Sequence, residues 1–255
     1  MSQDPIEYLV SRNAKGLDVK RLSKIFKDTT NCYKILLFKA ILDLSQLKSY
    51  EDLTLDFNAI SESMVYHAWF PLKYFRLSLG QQDSLAKIIE DLSNQLPVDA
   101  TKLNVHQLKH HIASSLSLKQ RDELLRYVPF RLLTPFFADQ LKGLPDHRKN
   151  TEIAVLSDDL RCSETPPLYA IYQDKREVVV NKKWVEFFNE NYLILDGWSN
   201  FHWAKFLQSR NPSVPSIINK LGRPESRASL NQQREIWRNF LNRQVSKCVY
   251  SSKIR

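Results

Sequence analysis

Along most of the chain, apolar residues recur three and four positions apart. Tyr33, Leu36, Leu37, Ala40, Ile41 and Leu44 follow this spacing, which lines one face of a helix. Thr29, Thr30 and Asn31 just before them offer capping oxygens, so a helix begins there and is expected at the centre of the core. Asp18 is placed to cap a shorter helix running through Phe26, with Leu22, Ile25 and Phe26 on one side. Residues 56–70 read as a helix ended by Pro71, and residues 81–95 as the next. Residues 104–116 and 118–127 give two more, the second capped by Ser117 and carrying Lys119, Arg121, Asp122 and Arg126 on its outer face. Pro129 and Pro135 interrupt the apolar stretch that follows, which predicts a buried connector ending in an exposed loop over 143–150.

The period then changes. Residues 168–172 and 177–180 alternate or run β-branched around Gln173, Asp174, Lys175 and Arg176, the pattern of a β-hairpin. Helical spacing resumes with Trp184, Phe187, Phe188 and Tyr192, and Ser199 or Asn200 is placed to cap a helix carrying Trp203, Phe206 and Leu207. Pro212 and Pro215 each hold their predecessor extended and so predict a rigid turn before a short helix over 216–221. A last long helix, 229–243, buries Leu230, Trp237, Phe240 and Leu241 and turns Arg234 and Arg238 outward. The expected fold is mainly α: a multi-helix body with one β-hairpin at about 168–180 and a basic helical C-terminal segment. The exposed loop suggests a division into an N-terminal helical region, 1–142, and a hairpin plus basic helical region, 150–247.

Composition supports helices. At 255 residues and 43% hydrophobic the chain can bury a substantial core, and five glycines are few for a β-sandwich or a doubly wound nucleotide fold. Tyr66, Trp69, Phe70, Tyr74 and Phe75 cluster in sequence. With no glycine-flanked strand to display them, they are assigned to the core rather than to base stacking. Cys32, Cys162 and Cys248 are far apart and form no CxxC pair, so neither a disulfide framework nor a structural zinc site is indicated. The first residues lack the basic start and apolar run of a signal peptide, and no apolar stretch reaches membrane-spanning length. These features suit the cytoplasm and no membrane partner.

Charge changes the picture most. Eleven of the 37 Lys and Arg fall within residues 199–255, against Glu225 and Glu235 alone, so this quarter carries all of the formal +9 and the rest of the chain balances. Such a split points to a neutral body with an end that meets a polyanion, DNA foremost, with RNA or an acidic protein as alternatives. Arg223, Arg227, Arg234, Arg238, Arg243 and Lys247 are the candidate phosphate contacts. A solvated basic face is the ordinary explanation of any one of them, and the case rests on the set.

The same quarter carries a family resemblance. The run NPSVPSIINKL at 211–221, the Arg-rich segment through Trp237, and then Cys248, Val249, Tyr250, Ser251 and Lys253 resemble the segment leading into the nuclease domain of bacterial HNH endonuclease-domain proteins. A related pattern opens the HNH domain of several RNA-guided CRISPR nucleases. TTNCYKILLFKAIL at 29–42 is similar, more loosely, to the N-terminal helices of the same proteins. The resemblance implies a DNA-targeting protein, plausible in antiviral (phage) defence, with 248–255 as the start of a ββα unit. A complete unit would use a divalent metal, Mg or Mn, with a His to activate water and an Asn to orient that His. Those residues would follow Arg255, so the expectation is a catalytically inactive chain with no cofactor of its own. Ser252 stands where the family has a turn glycine, a departure because serine tolerates positive φ poorly.

No other chemistry is spelled out. His106 and His110 have the i, i+4 spacing of two zinc ligands, but the residues between them, Gln107, Leu108 and Lys109, lack the metalloprotease Glu. Asp158, Asp159 and Cys162 have no neighbouring His to activate a thiol, and no Walker or dinucleotide glycine pattern occurs. Two readings follow: the nucleic-acid-binding helical region of an HNH endonuclease-like protein, or a helical scaffold whose basic end docks an acidic protein or RNA.

Overall fold

The computed structural model describes residues 6, 8–9, 16–27, 29–46, 51–80, 83–96 and 103–224. Helix α1 (Val19–Leu22) starts at Asp18, whose carboxylate accepts from the Arg21 backbone N–H at 2.9 Å. The central helix is α2 (Tyr33–Ser45), with nine of its 13 residues buried. Periodicity predicts one buried face, but Ile35, Phe38, Lys39 and Leu42 are buried as well. The helix is enclosed because α3 (Phe57–Trp69), α7 (Val128–Leu133), α9 (Lys182–Glu190) and α10 (Tyr192–Arg210) all pack against it. A helix that is apolar nearly all round is stable only in such a setting. Around it, Phe38 meets Phe188 and Trp198 edge-on at 5.9 and 5.5 Å, and Phe26 lies 4.5 Å from Trp198. Burial of each such side chain contributes about 1.5–3 kcal/mol.

The α-helix ends at Trp69, close to where Pro71 predicts, but the helical path goes on. After Trp69 the chain widens into a π-helical turn, Phe70–Tyr74, in which Phe75 N–H reaches Phe70 C=O at 3.1 Å and Leu77 N–H reaches Pro71 C=O at 2.9 Å. Proline lacks the N–H of the α-ladder and its ring crowds the carbonyl four residues back, and the wider turn relieves both. Trp69 and Phe70 are buried here, as the core assignment expects, whereas Tyr74 is exposed. Helices α4 (Ser84–Asn94), α5 (Val105–Ser115) and α6 (Leu118–Leu125) follow, the last two opened by capping boxes from Asn104 and Ser117.

The outer face predicted for α6 needs one correction. Arg121 points inward and is only 5% exposed. Its guanidinium donates to the carbonyls of Ala113, Leu116 and Asn58 at 2.9, 3.0 and 3.1 Å and to Glu62 Oε1 at 2.6 Å. Two of those carbonyls lie at the C-terminal end of α5, so the cation satisfies acceptors that the helix ladder leaves open.

A 3₁₀ turn, Thr134–Phe137, links α7 to α8 (Asp146–Asp159). The loop expected over 143–150 is therefore shorter, since the chain is already helical at Asp146, where Lys149 pairs with that carboxylate at 2.7 Å. The hairpin forms as predicted, with β2 (Tyr169–Tyr172) antiparallel to β3 (Glu177–Val180). It gains a third strand, β1 (Leu53–Asp56), which pairs antiparallel with β3 so that Leu53 faces Val180 and Asp56 faces Glu177. Val178, Val179 and Val180 are thus buried in a central strand. The free edge of β2 is covered by α8: buried Ser157 accepts the Ile171 N–H at 3.2 Å.

Helix α10 runs unbroken from Tyr192 to Arg210. Ser199 and Asn200 lie inside it rather than capping it, because Ser199 donates to Asp196 C=O and Asn200 turns its amide to Asp196 Oδ2. The chain divides into two units, Met1–Gly222 and Arg223–Arg255, and the segment around Gly143 lies inside the first. Of the second, only Arg223 and Pro224 are described.

Candidate nucleic-acid interface

The C-terminus of α10 leads toward the basic segment. Trp203, Phe206 and Leu207 are buried while Lys205 and Arg210 are exposed. After the helix, Asn211 fixes the turn: its amide donates to Leu207 C=O at 2.8 Å and to Ser78 C=O at 2.9 Å, and its Oδ1 accepts the Ser78 N–H at 2.8 Å. Gln208 Nε2 donates to Asn211 C=O at 3.0 Å and to Val214 C=O at 3.1 Å. The two prolines therefore sit in a turn held by side chains on both sides. The short helix predicted after it is a 3₁₀ turn, Ile217–Lys220, entered through Ser216 at φ 53°. Lys220 spends its ammonium on the carbonyls of Pro215 and Ser216, so it is a tether of this turn.

Of the predicted phosphate contacts, Arg223 is described and is exposed. Arg227, Arg234, Arg238, Arg243 and Lys247 lie outside the described residues. So do the helix predicted over 229–243 and the motif residues Cys248, Tyr250, Ser251 and Lys253.

The structure adds basic residues that no linear pattern connects. Arg210, stacked 5.5 Å over Phe206, donates to Thr30 C=O at 3.2 Å. Thr30 borders a cleft of about 700 Å³ between the start of α2 and the α6–α7 corner, with Lys24, Lys34 and Arg131 on its walls against a single carboxylate, Glu123. Tyr33 and Tyr127 also line it. The Tyr33 hydroxyl donates to Asp83 at 3.3 Å and accepts the Leu85 N–H at 3.2 Å. Burial, reinforced by the Asp83 carboxylate, pushes this phenol well above the usual tyrosine range, so it stays protonated. Tyr127 is 51% exposed and the Arg126 guanidinium lies 5.0 Å over its ring. Sequence reading places Tyr33 in the core and Thr30 and Asn31 among the caps, because each of these residues belongs to a different local pattern.

A second constellation joins α2, α3 and α10. Lys39 Nζ, almost fully buried, donates to Asp196 Oδ1 and Asn200 Oδ1, both at 2.8 Å. One turn on, Asp43 accepts from the Tyr192 hydroxyl at 2.9 Å and lies 2.9 Å from His67 Nε2. Burial lowers the His67 pKa, aided by the nearby Lys39 charge, and outweighs the opposing pull of Asp43. The ring is therefore neutral at pH 7. For Asp43, burial is the largest single influence and raises the pKa, but His67, Lys39 and Tyr192 together outweigh it and hold the carboxyl below its ordinary range. Ion pairs and hydrogen bonds from Lys39 and Asp43 tie α2 to α10, and neutral His67 of α3 lies against Asp43. A lysine inside the apolar run LLFKAILDL, with an aspartate one turn later, is the sequence signal for it.

The remaining histidines fall elsewhere. His106 and His110 are both exposed on α5, and His147 is exposed on α8. His111 Nε2 lies 2.8 Å from Leu92 C=O, and His202 packs among Phe26, Trp198 and Phe201. Cys32 is buried, Cys162 is exposed, and both are free thiols. Among the described residues, no three His, Cys, Asp or Glu side chains gather in a way that could hold a metal ion, and no helix is long and apolar enough to cross a membrane.

What the fold and site define is a mainly α protein with a small antiparallel sheet, a stapled turn leading to a basic segment, and a cation-lined cleft. Comparison with protein-family models, curated proteins and solved structures gives no significant match.

Proposed function

We propose that this protein binds nucleic acid, DNA foremost, through its basic C-terminal quarter, as the targeting region of an HNH endonuclease-like protein acting in the cytoplasm. One observation carries the reading: residues 199–255 hold eleven cationic and two acidic side chains, while the other residues balance. A charge excess confined to one end acts on a polyanion by releasing its condensed counterions, and this makes binding steeply salt-dependent. The motif residues at 211–221 and 248–253 favour DNA and the nuclease context over a scaffold role, and antiviral defence is the setting that resemblance suggests.

The test is a substitution within the predicted last helix. Replacing Arg234 and Arg238 with Ala removes about two phosphate contacts, which flattens the log–log salt dependence of duplex DNA binding by roughly 2. An unchanged slope and affinity would reduce both residues to ordinary surface charge and return the scaffold reading to first place.

A further inference from the structure

Two stretches of the chain carry cations and no carboxylate: residues 63–82, between Glu62 and Asp83, and residues 197–224, between Asp196 and Glu225. The fold joins them near the start of the basic quarter. Asn211 holds both the N–H and the C=O of Ser78, at 2.8 and 2.9 Å, across 133 positions of sequence. Beside that joint Gly80 lies against Arg210, whose guanidinium a Cβ on Gly80 would meet at 3.9 Å. Several charges nearby already have partners. Lys73 pairs with Glu90 at 2.7 Å, Lys220 is held by carbonyls of its own turn, and Asp83 caps α4 while accepting from Tyr33. Arg76 does not: it is exposed, and its side chain makes no hydrogen bond, ion pair or ring contact among the described residues.

Arg76 also stands where the backbone disfavours it. The π-helical turn Phe70–Tyr74 ends at Phe75, and Arg76 then reverses the chain with φ 53° while Leu77 N–H reaches back to Pro71 C=O. Just past a helix end this left-handed conformation is usually taken by glycine, because a Cβ crowds the neighbouring carbonyl. Two other non-glycine residues among the described ones share a positive φ, and each has a local reason. Arg176 turns the hairpin and pairs with Asp122, and Ser216 enters the 3₁₀ turn that Lys220 tethers. Arg76 combines a disfavoured backbone with a side chain that no described residue engages. Strain kept at such a position marks a functional residue rather than a structural one.

We infer that Arg76 is a phosphate contact on the helical body, so that nucleic acid bound by the basic quarter also rests on the joint of Ser78 and Asn211. The inference rests on the nucleic-acid reading and adds to it a residue from outside the basic quarter. A guanidinium presents a planar fork of N–H donors that matches two phosphate oxygens, and an arginine free of internal partners has that fork ready. Arg210 reinforces it from the other side of the joint. It gives an N–H to Thr30 C=O at 3.2 Å and stays exposed at the end of α10. The absence of carboxylates from both stretches leaves the field of these two arginines without a local counter-charge in sequence.

The test sets stability against binding in one substitution. Arg76→Gly relieves the backbone and raises the thermal midpoint of the full chain by about 2 °C. The same variant binds duplex DNA about tenfold more weakly at low salt, whatever the sequence, and flattens the log–log salt dependence by about 1. Arg76→Lys keeps the charge and keeps the slope, while Arg76→Gln loses the slope contribution as the glycine variant does. The variant R234A/R238A is measured beside them and flattens the slope by roughly 2, with or without Arg76→Gly. An unchanged slope and affinity in both Arg76→Gly and Arg76→Gln, with R234A/R238A still effective, overturns the Arg76 contact and leaves the basic-quarter reading in place. A midpoint that falls in Arg76→Gln with binding untouched does the same, since it assigns the charge to the end of the π-helical turn. Flattening by the Arg76 variants alone, with R234A/R238A without effect, upholds the body contact and overturns the role given to the predicted last helix. No binding of duplex DNA by the unaltered chain overturns both.

Discussion

Arg121 is where a single side chain does most for the fold. Its guanidinium satisfies three backbone carbonyls and Glu62 while almost wholly buried. Replacement by methionine keeps the volume but removes the guanidinium donor from Ala113 C=O, Leu116 C=O and Glu62, while Asn58 C=O keeps the Ser61 hydroxyl. Glu62 keeps partial access to water, with a side chain 30% exposed, so we expect a loss of roughly 2–4 kcal/mol rather than the full value of a dry ion pair. Chemical denaturation of Arg121→Met checks this, and a change below about 0.5 kcal/mol would mean that water replaces the guanidinium freely. His67 gives a second prediction, in pH. Because its folded-state pKa is depressed, the unfolded chain takes up the proton first as pH falls. Its contribution to stability is fully present above the unfolded value of about 6.5 and is lost as pH falls through the lower folded value. Denaturation midpoints should therefore fall between pH 7.5 and 5, and His67→Gln should remove part of that slope. An identical pH profile for the variant would show that His67 does not titrate differently on folding.

At the scale of elements, the long periodic helices are legible in the sequence and the irregular joints are not. The i, i+3, i+4 spacing of residues 33–44 marks α2, but it does not show that four other helices enclose it and bury Lys39 too. The β-branched run at 177–180 marks β3, whereas β1 offers only Leu53 and Leu55 in alternation, too short a signal to separate from a loop. Pro71 reads as a stop because sequence rules describe the α-ladder, and the chain instead continues with π spacing. The sheet edge supplies a test of this level. Ser157→Ala leaves the Ile171 N–H without its acceptor, so we expect about 1–3 kcal/mol of destabilisation. Hydrogen exchange at Ile171 would quicken in the variant, and unchanged protection would mean that α8 covers the β2 edge by packing alone.

For the whole molecule, charge and fold divide the labour. The helical body is held by an enclosed α2, the Lys39–Asp196 and Asp43–Tyr192 contacts between α2 and α10, and a three-stranded sheet. The uncompensated charge lies in the last quarter of the chain. That quarter was legible from composition, since charge counts need no fold. The cleft was not, because Lys24, Lys34 and Arg131 meet only after α1, α2 and α7 have packed. The decisive measurement is the affinity of the full chain for duplex DNA across a salt series at neutral pH. If Arg223, Arg227, Arg234, Arg238, Arg243 and Lys247 supply most of the phosphate contacts, log Kd should rise with log salt with a slope of about 3 to 5. No binding at low salt, or an affinity that does not change with salt, would contradict nucleic-acid binding by the basic quarter.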